Sequence, residues 1–122
     1  MLLNLSNHPS SQWAAEQHAE AVRLYGQILD LAFPDIDPTA DEQYIDALAN
    51  EYLQKILDIQ REQQKHFTVH IMGELTFCVA LIAKLKQHNI PCVASTTRRV
   101  ANITNGHKTS VFKFVRFRSY VL

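Results

Sequence analysis

The chain opens on a short apolar run, "LLNLS" at residues 2 to 6, that ends in a polar stretch, which is the pattern of a buried strand closed by a turn. From Ser11 to Tyr25 the residues Trp13, Ala14, Ala21, Val22 and Tyr25 recur at helical spacing, with Ser10 or Ser11 placed to cap the helix and Gly26 placed to end it. "QILDLAF", residues 27 to 33, reads as a second strand stopped by Pro34 and Pro38. Thr39 and Glu42 have capping-box spacing, and Ile45, Leu48, Tyr52, Ile56 and Ile59 then form one stripe of a helix reaching about Gln63. "FTVHIMG", residues 67 to 73, gives a third strand and "ELTFCVALIAKLKQHN", residues 74 to 89, an apolar helix, which Pro91 prevents from continuing. "CVAST", residues 92 to 96, is a fourth strand. Asn105-Gly106 is a strong hairpin signal, followed by a β-rich run from Thr109 to Val121.

Strands that alternate with helices imply parallel pairing and right-handed crossovers. The pattern therefore predicts an α/β fold in one domain over residues 1–122: a three-layer Rossmann-like, mostly parallel sheet with an antiparallel C-terminal β-hairpin at one edge. In open sheets of this kind ligands bind outside the carboxyl ends of the strands.

Composition narrows the class without naming a function. A chain of 122 residues that is 47% hydrophobic and 20% charged, with 3 Gly and 4 Pro, is expected to fold around one core. No apolar run approaches the roughly 18 to 20 residues of a membrane span, and no secretory leader is visible, so a cytoplasmic protein is expected. Cys78 and Cys92 lie among apolar neighbours without metal-ligand spacing, and read as buried core residues. Charge is uneven: residues 1–62 hold 11 acidic and 3 basic side chains, a net of −8, while residues 63–122 hold 1 acidic and 9 basic, a net of +8. The basic half either presents a positive surface to an anion or pairs with the acidic half.

Three polar loops are predicted to meet at the carboxyl edge: Ser6 to Ser11, Gly73 to Thr76, and Ser95 to Arg99. Two of them open helices, whose free N–H groups suit phosphate. Gly73 would let a ligand approach the backbone, Ser10, Ser11, Thr76, Thr96 and Thr97 offer hydroxyl donors, and Arg98 and Arg99 can bond phosphate oxygens. Each serine or threonine is equally a candidate helix cap. No GxGxxG and no GxxxxGK[ST] occurs, which takes weight from dinucleotide and P-loop chemistry. His8 can serve as acid, base or cationic clamp beside a phosphate, or simply shape the turn before Pro9. Glu74, the last acidic residue of the chain, fits the first turn of a helix on dipole grounds alone. The remaining histidines show no helical metal spacing, so no metal site and no cofactor are expected. In the last strand Phe112, Phe114, Arg116, Arg118 and Tyr120 fall on one face by alternation, either to hold nucleic acid or to pack while the cations snorkel.

The stretch "SNHPSSQW" and the "MGEL" that follows a middle strand resemble the small CRISPR-associated ring nucleases of type III systems, relatives of the CARF sensor domains. The resemblance implies a homodimeric Rossmann-like protein, without membrane or DNA partners, that binds cyclic oligoadenylate, most often cyclic tetra-adenylate, in antiviral defence. It implies metal-independent cleavage by attack of a ribose 2′-OH on the adjacent phosphate, which switches off the signal. By position, Asn7, His8 and Ser10 would contact the scissile phosphate, and Gly73, Glu74 and Thr76 would line the pocket; Ser6 and Ser11 are ligand candidates by their place in the same polar loop alone. The pattern does not extend to Ser95, Thr96, Thr97, Arg98, Arg99 or Arg116, whose ligand roles rest on their placement alone. Asn7 stands where that family often has a basic residue, and Arg98, Arg99 or Arg116 can supply the missing charge. Two other functions compete: a sensor or sponge that binds the same ligand without cutting it, and a small RNA-binding module built on the basic terminal strand.

Overall fold

A computed structural model describes residues 1–63 and 66–122. The elements in order are β1 (Leu2–Ser6), α1 (Ala15–Tyr25), β2 (Ile28–Asp30), α2 (Glu42–Gln63), β3 (Thr68–Met72), α3 (Leu75–Gln87), β4 (Cys92–Thr104) and β5 (His107–Ser119). They form a five-stranded sheet in the order β2-β1-β3-β4-β5, parallel except for the antiparallel β4–β5 pair. The chain steps from β1 outward to β2 and then returns to add β3 on the other side of β1. That reversal parts the connecting loops above the carboxyl ends of β1 and β3 and leaves a crevice there.

Alternation along the strands explains the two hydrophobic clusters. Leu3 and Leu5 of β1 and Val69 and Ile71 of β3 are fully buried against Tyr52 and Ile56 of α2 and Phe77, Leu81 and Leu85 of α3. Phe77 anchors this side, edge-on to both Phe33 and Tyr52. Leu2 belongs to the second cluster, with Ala21 of α1, Val93 and Phe117, flanked by Trp13 and Tyr25. Each fully buried side chain of this size contributes about 1.5–3 kcal/mol from area removed from water. Cys78 and Cys92 are free and buried, and burial pushes their thiols up to about 11 and about 12, so both are inert packing.

Several expectations are corrected. Helix α1 begins at Ala15 rather than Ser11, because a 3₁₀ turn at Ser10–Gln12 and the extended residues Trp13 and Ala14 intervene. Neither Ser10 nor Ser11 caps α1, whose N-cap, Ala14, makes no side-chain bond. Strand β2 stops at Asp30, and Leu31 and Phe33 continue into the core as irregular chain. Asp41 rather than Thr39 satisfies the start of α2, accepting from the Tyr44 N–H at 3.1 Å, while Thr39 bonds to Asp37.

The largest departure is in the hairpin. The fourth strand does not end near residue 96 but runs to Thr104 and pairs with β5 over nearly its whole length, so the hairpin is made of β4 itself. Asn105 and Gly106 both take positive φ, +52° and +78°, the two-residue turn that matches strand twist. A bulge between Thr96 and Thr97 leaves Val115 without a partner and resets the alternation of β5. Phe114 and Phe117 therefore lie together, 5.0 Å between centroids, where unbroken alternation put them on opposite faces.

Candidate functional site

The crevice holds a cleft of about 550 Å³. Ser6, Asn7 and His8 from the end of β1 form one side, Gln12, Trp13, Ala14 and Gln17 the approach to α1, and His70, Met72 and Gly73 the end of β3. The far wall is the base of the hairpin, with Ser95 and Thr97 from β4 and Phe112 and Phe114 from β5. Its walls are hydroxyls, amides, aromatic rings and two imidazoles, with no carboxylate, lysine or arginine among the described residues that line it.

The loop that carries Asn7 and His8 is held by a buried polar network. Asn4 and His70 are paired across β1 and β3, and each is only 2% exposed. The Asn4 amide nitrogen donates to the His8 carbonyl at 2.8 Å and to the Asp30 carboxylate at 2.9 Å. The Ser6 hydroxyl lies 2.8 Å from Asn4 Oδ1 and 3.1 Å from the His8 carbonyl, and the Trp13 indole N–H donates to that same carbonyl at 3.2 Å. Asp30 then accepts from the Ser10 N–H at 3.0 Å and the Ser10 hydroxyl at 2.7 Å. Burial pushes the Asp30 carboxyl up, but the bonds from Asn4 and Ser10 outweigh it and hold the group below its ordinary value. The backbone of His8 is thus fixed from beneath while its exposed imidazole takes no part in the network.

Of the residues singled out in the sequence, the cleft brings together Ser6, Asn7, His8, Gly73, Ser95 and Thr97. The others are placed elsewhere. Ser10 is spent on Asp30, and Ser11 is exposed on the 3₁₀ turn. Glu74 is the N-cap of α3, accepting from the N–H groups of Thr76 and Phe77, and hydrogen bonds led by the Thr76 hydroxyl hold its carboxyl low. Thr76 faces a separate cleft between α2 and α3. The Thr96 hydroxyl bonds to the Arg116 backbone, and Arg99 bonds to Ser110 across the hairpin. Arg98 is exposed on that hairpin, and the Arg116 guanidinium turns to the Phe117 carbonyl. The missing Cβ at Gly73 has a packing reason: a Cβ there would lie 2.3 Å from the Phe33 ring.

Sequence reasoning missed Asn4, Asp30, His70 and Trp13 as parts of the site. A signal was present in "LLNLS" and "TVHIM", where one polar residue sits inside an otherwise apolar strand. Such a residue is buried with its neighbours and must find a partner there.

The chain belongs to the uncharacterized protein MJ1673 family, whose model matches residues 1–118. No curated protein and no solved structure matches it.

Proposed function

For this member of the MJ1673 family, we propose a cytoplasmic homodimeric ring nuclease with a three-layer Rossmann-like fold. It binds cyclic oligoadenylate, with cyclic tetra-adenylate the first ligand to test, and cleaves it without a metal, ending type III CRISPR signalling. The observation that carries this reading is the composition of the cleft at the strand ends. A pinned loop presents Asn7 and the free His8 imidazole opposite an aromatic wall, Phe112 and Phe114, across a space lined by neutral donors. Bases stack on aromatic faces irrespective of sequence, and neutral donors with one imidazole suit a phosphodiester. A cleft of about 550 Å³ holds roughly two nucleotides on the scale of ordinary ligand pockets, so a four-membered ring requires two copies of the chain.

In the reaction the ribose 2′-oxygen forms a bond to the adjacent phosphorus as the P–O5′ bond breaks. The 2′-OH proton is lost and the departing O5′ gains one, leaving a 2′,3′-cyclic phosphate. Little covalent work falls to the protein. Asn7 and the loop hold the phosphate in line, and His8 clamps it or gives the proton to O5′. Arg98 and Arg99, on the same hairpin as the aromatic wall, add long-range attraction for the anion rather than direct contacts.

A second reading, binding without cleavage, is favoured by one observation: among the described residues, the only ionisable groups lining the cleft are His8 and His70. The deciding experiment incubates the protein with labelled cyclic tetra-adenylate in EDTA and resolves the products. Linear products ending in 2′,3′-cyclic phosphate, lost in His8→Ala, are expected; tight retention of intact ring supports the sensor, and absence of binding rejects both.

A further inference from the structure

The polar network fixes the tautomer of His70, and with it the character of one point in the cleft. Asn4 Nδ2 faces two oxygens that can only accept, the His8 carbonyl and the Asp30 carboxylate, so the amide cannot be turned round. Asn4 Oδ1 therefore faces His70 Nδ1, at 2.9 Å, and that nitrogen must carry the proton. Nε2 is left with a bare lone pair. It is the one buried side-chain nitrogen or oxygen among the described residues that has no hydrogen-bond partner. An orphan of this kind inside a fully satisfied network calls for a partner that the chain does not supply.

We infer that His70 Nε2 is a recognition point which accepts a hydrogen bond from a neutral N–H or O–H donor on the ligand. This rests on the nucleotide reading above, and two donors of an adenosine unit meet the requirement: the exocyclic amine of the base and the ribose hydroxyl. A phosphate does not, because its oxygens would face a lone pair, so the anion belongs at the His8 end of the cleft. A metal ion does not fit either, since no group of three or more His, Cys, Asp or Glu among the described residues is arranged to hold one. Burial pushes the ring down to about 4, so it stays neutral, and an acceptor, at physiological pH.

Nε2 is screened from solvent, with Trp13 and Phe117 both edge-on to the imidazole, at 5.2 and 5.6 Å between centroids. Of these two rings only Trp13 lines the cleft. Trp13 packs on the imidazole and lines the cleft beside it, and it is the single tryptophan of the chain, so its fluorescence reports a donor that arrives at Nε2.

The test titrates Trp13 fluorescence with cyclic tetra-adenylate, with its purine-riboside counterpart lacking the amine, and with its 2′-O-methyl counterpart lacking the hydroxyl donor. The unsubstituted protein is expected to bind the parent ring about tenfold more tightly than one of the two analogues, which identifies the donor. His70→Phe is expected to lose that preference while still binding. In parallel, the ¹⁵N resonance of His70 Nε2 in the unsubstituted protein is expected to move from that of a free lone pair to that of a hydrogen-bonded acceptor, an arm that does not depend on the variant folding. Equal affinity for all three rings, or discrimination that survives in His70→Phe, overturns the inference. If the unsubstituted protein binds no ring, the ring-nuclease reading falls by itself. Titration with free adenosine, which carries both donors, then decides: a shift of Nε2 keeps the recognition point, and an unmoved resonance overturns it.

Discussion

The interior strands and the hairpin arm meet at one cleft but are built by opposite rules. In β1 and β3 the residues Leu3, Leu5, Val69 and Ile71 have no exposed surface, and the buried polar residues Asn4, Ser6 and His70 between them are tied into a network. Along the arm every residue from Thr97 to Lys113 is exposed apart from half-buried Val100. The arm also concentrates charge: residues 92–119 include Arg98, Arg99, Lys108, Lys113, Arg116 and Arg118 and no acid. A side chain in the interior has its role set by its neighbours, because an unpaired polar group or an unfilled volume is costly there. A side chain on the arm is solvated either way, and whatever role it has comes from what approaches it.

The strongest way to break this contrast is to remove a ring from each region. Phe77 has no exposed surface and is edge-on to Phe33 and Tyr52, so Phe77→Ala is expected to cost about 3–5 kcal/mol of unfolding free energy. Urea denaturation followed by circular dichroism measures it. A loss below about 1 kcal/mol would show that the interior is far more plastic than its packing implies.

Next in size is the response of the interior network to acid. Burial lowers His70 to about 4 from an ordinary value of 6.5. Between those pH values the unfolded chain holds a proton on this ring that the folded chain does not, so stability falls as pH is lowered from about 6.5 to about 4. The full effect is about 3 kcal/mol, at about 1.4 kcal/mol per pH unit. Above pH 6.5 this ring contributes no slope. The measurement compares denaturation midpoints across that range for the unsubstituted protein and His70→Phe, in which the slope assigned to this residue is expected to vanish. Parallel pH profiles for the two would mean that the ring is solvated and the network open.

The contrast also explains what could be read from the sequence. The parallel pairing among β1 to β4, though not their order in the sheet, was legible because apolar strands and a helical stripe such as Ile45 to Ile59 reflect local burial, and burial leaves a periodic trace. The Asn105-Gly106 turn was legible because only a few residues tolerate two successive positive φ values. The length of β4 was not, since an exposed strand such as "TRRVANIT" has no apolar face to record its period. The faces of β5 were misplaced for a different reason: a bulge at Val115 shifts the phase by one residue and leaves no mark in composition. At the site, Asn7 and His8 could be placed because topology brings strand ends together, whereas Ser95 and Thr97 reach the cleft from inside β4 and not from the loop that the sequence suggested. Ser10 and Glu74 show the limit of that logic, because a hydroxyl or carboxylate beside a helix start is claimed first by the nearest backbone or side-chain partner, here Asp30 and the α3 N–H groups.

The smallest expected change in stability is the one that sharpens the contrast most. Phe112 lines the cleft yet is 66% exposed, so Phe112→Ala is expected to alter unfolding free energy by no more than about 0.5 kcal/mol. If it stacks a base, as proposed, the same substitution weakens binding of cyclic tetra-adenylate by about 1–3 kcal/mol, the range found for base-to-aromatic stacking. Read by Trp13 fluorescence, that is about a fivefold to hundredfold rise in Kd with an unchanged denaturation midpoint. Unchanged affinity would detach the arm from the cleft and leave its rings and cations to some other partner. A fall in stability of several kcal/mol would place Phe112 in the interior and end the distinction between the two regions.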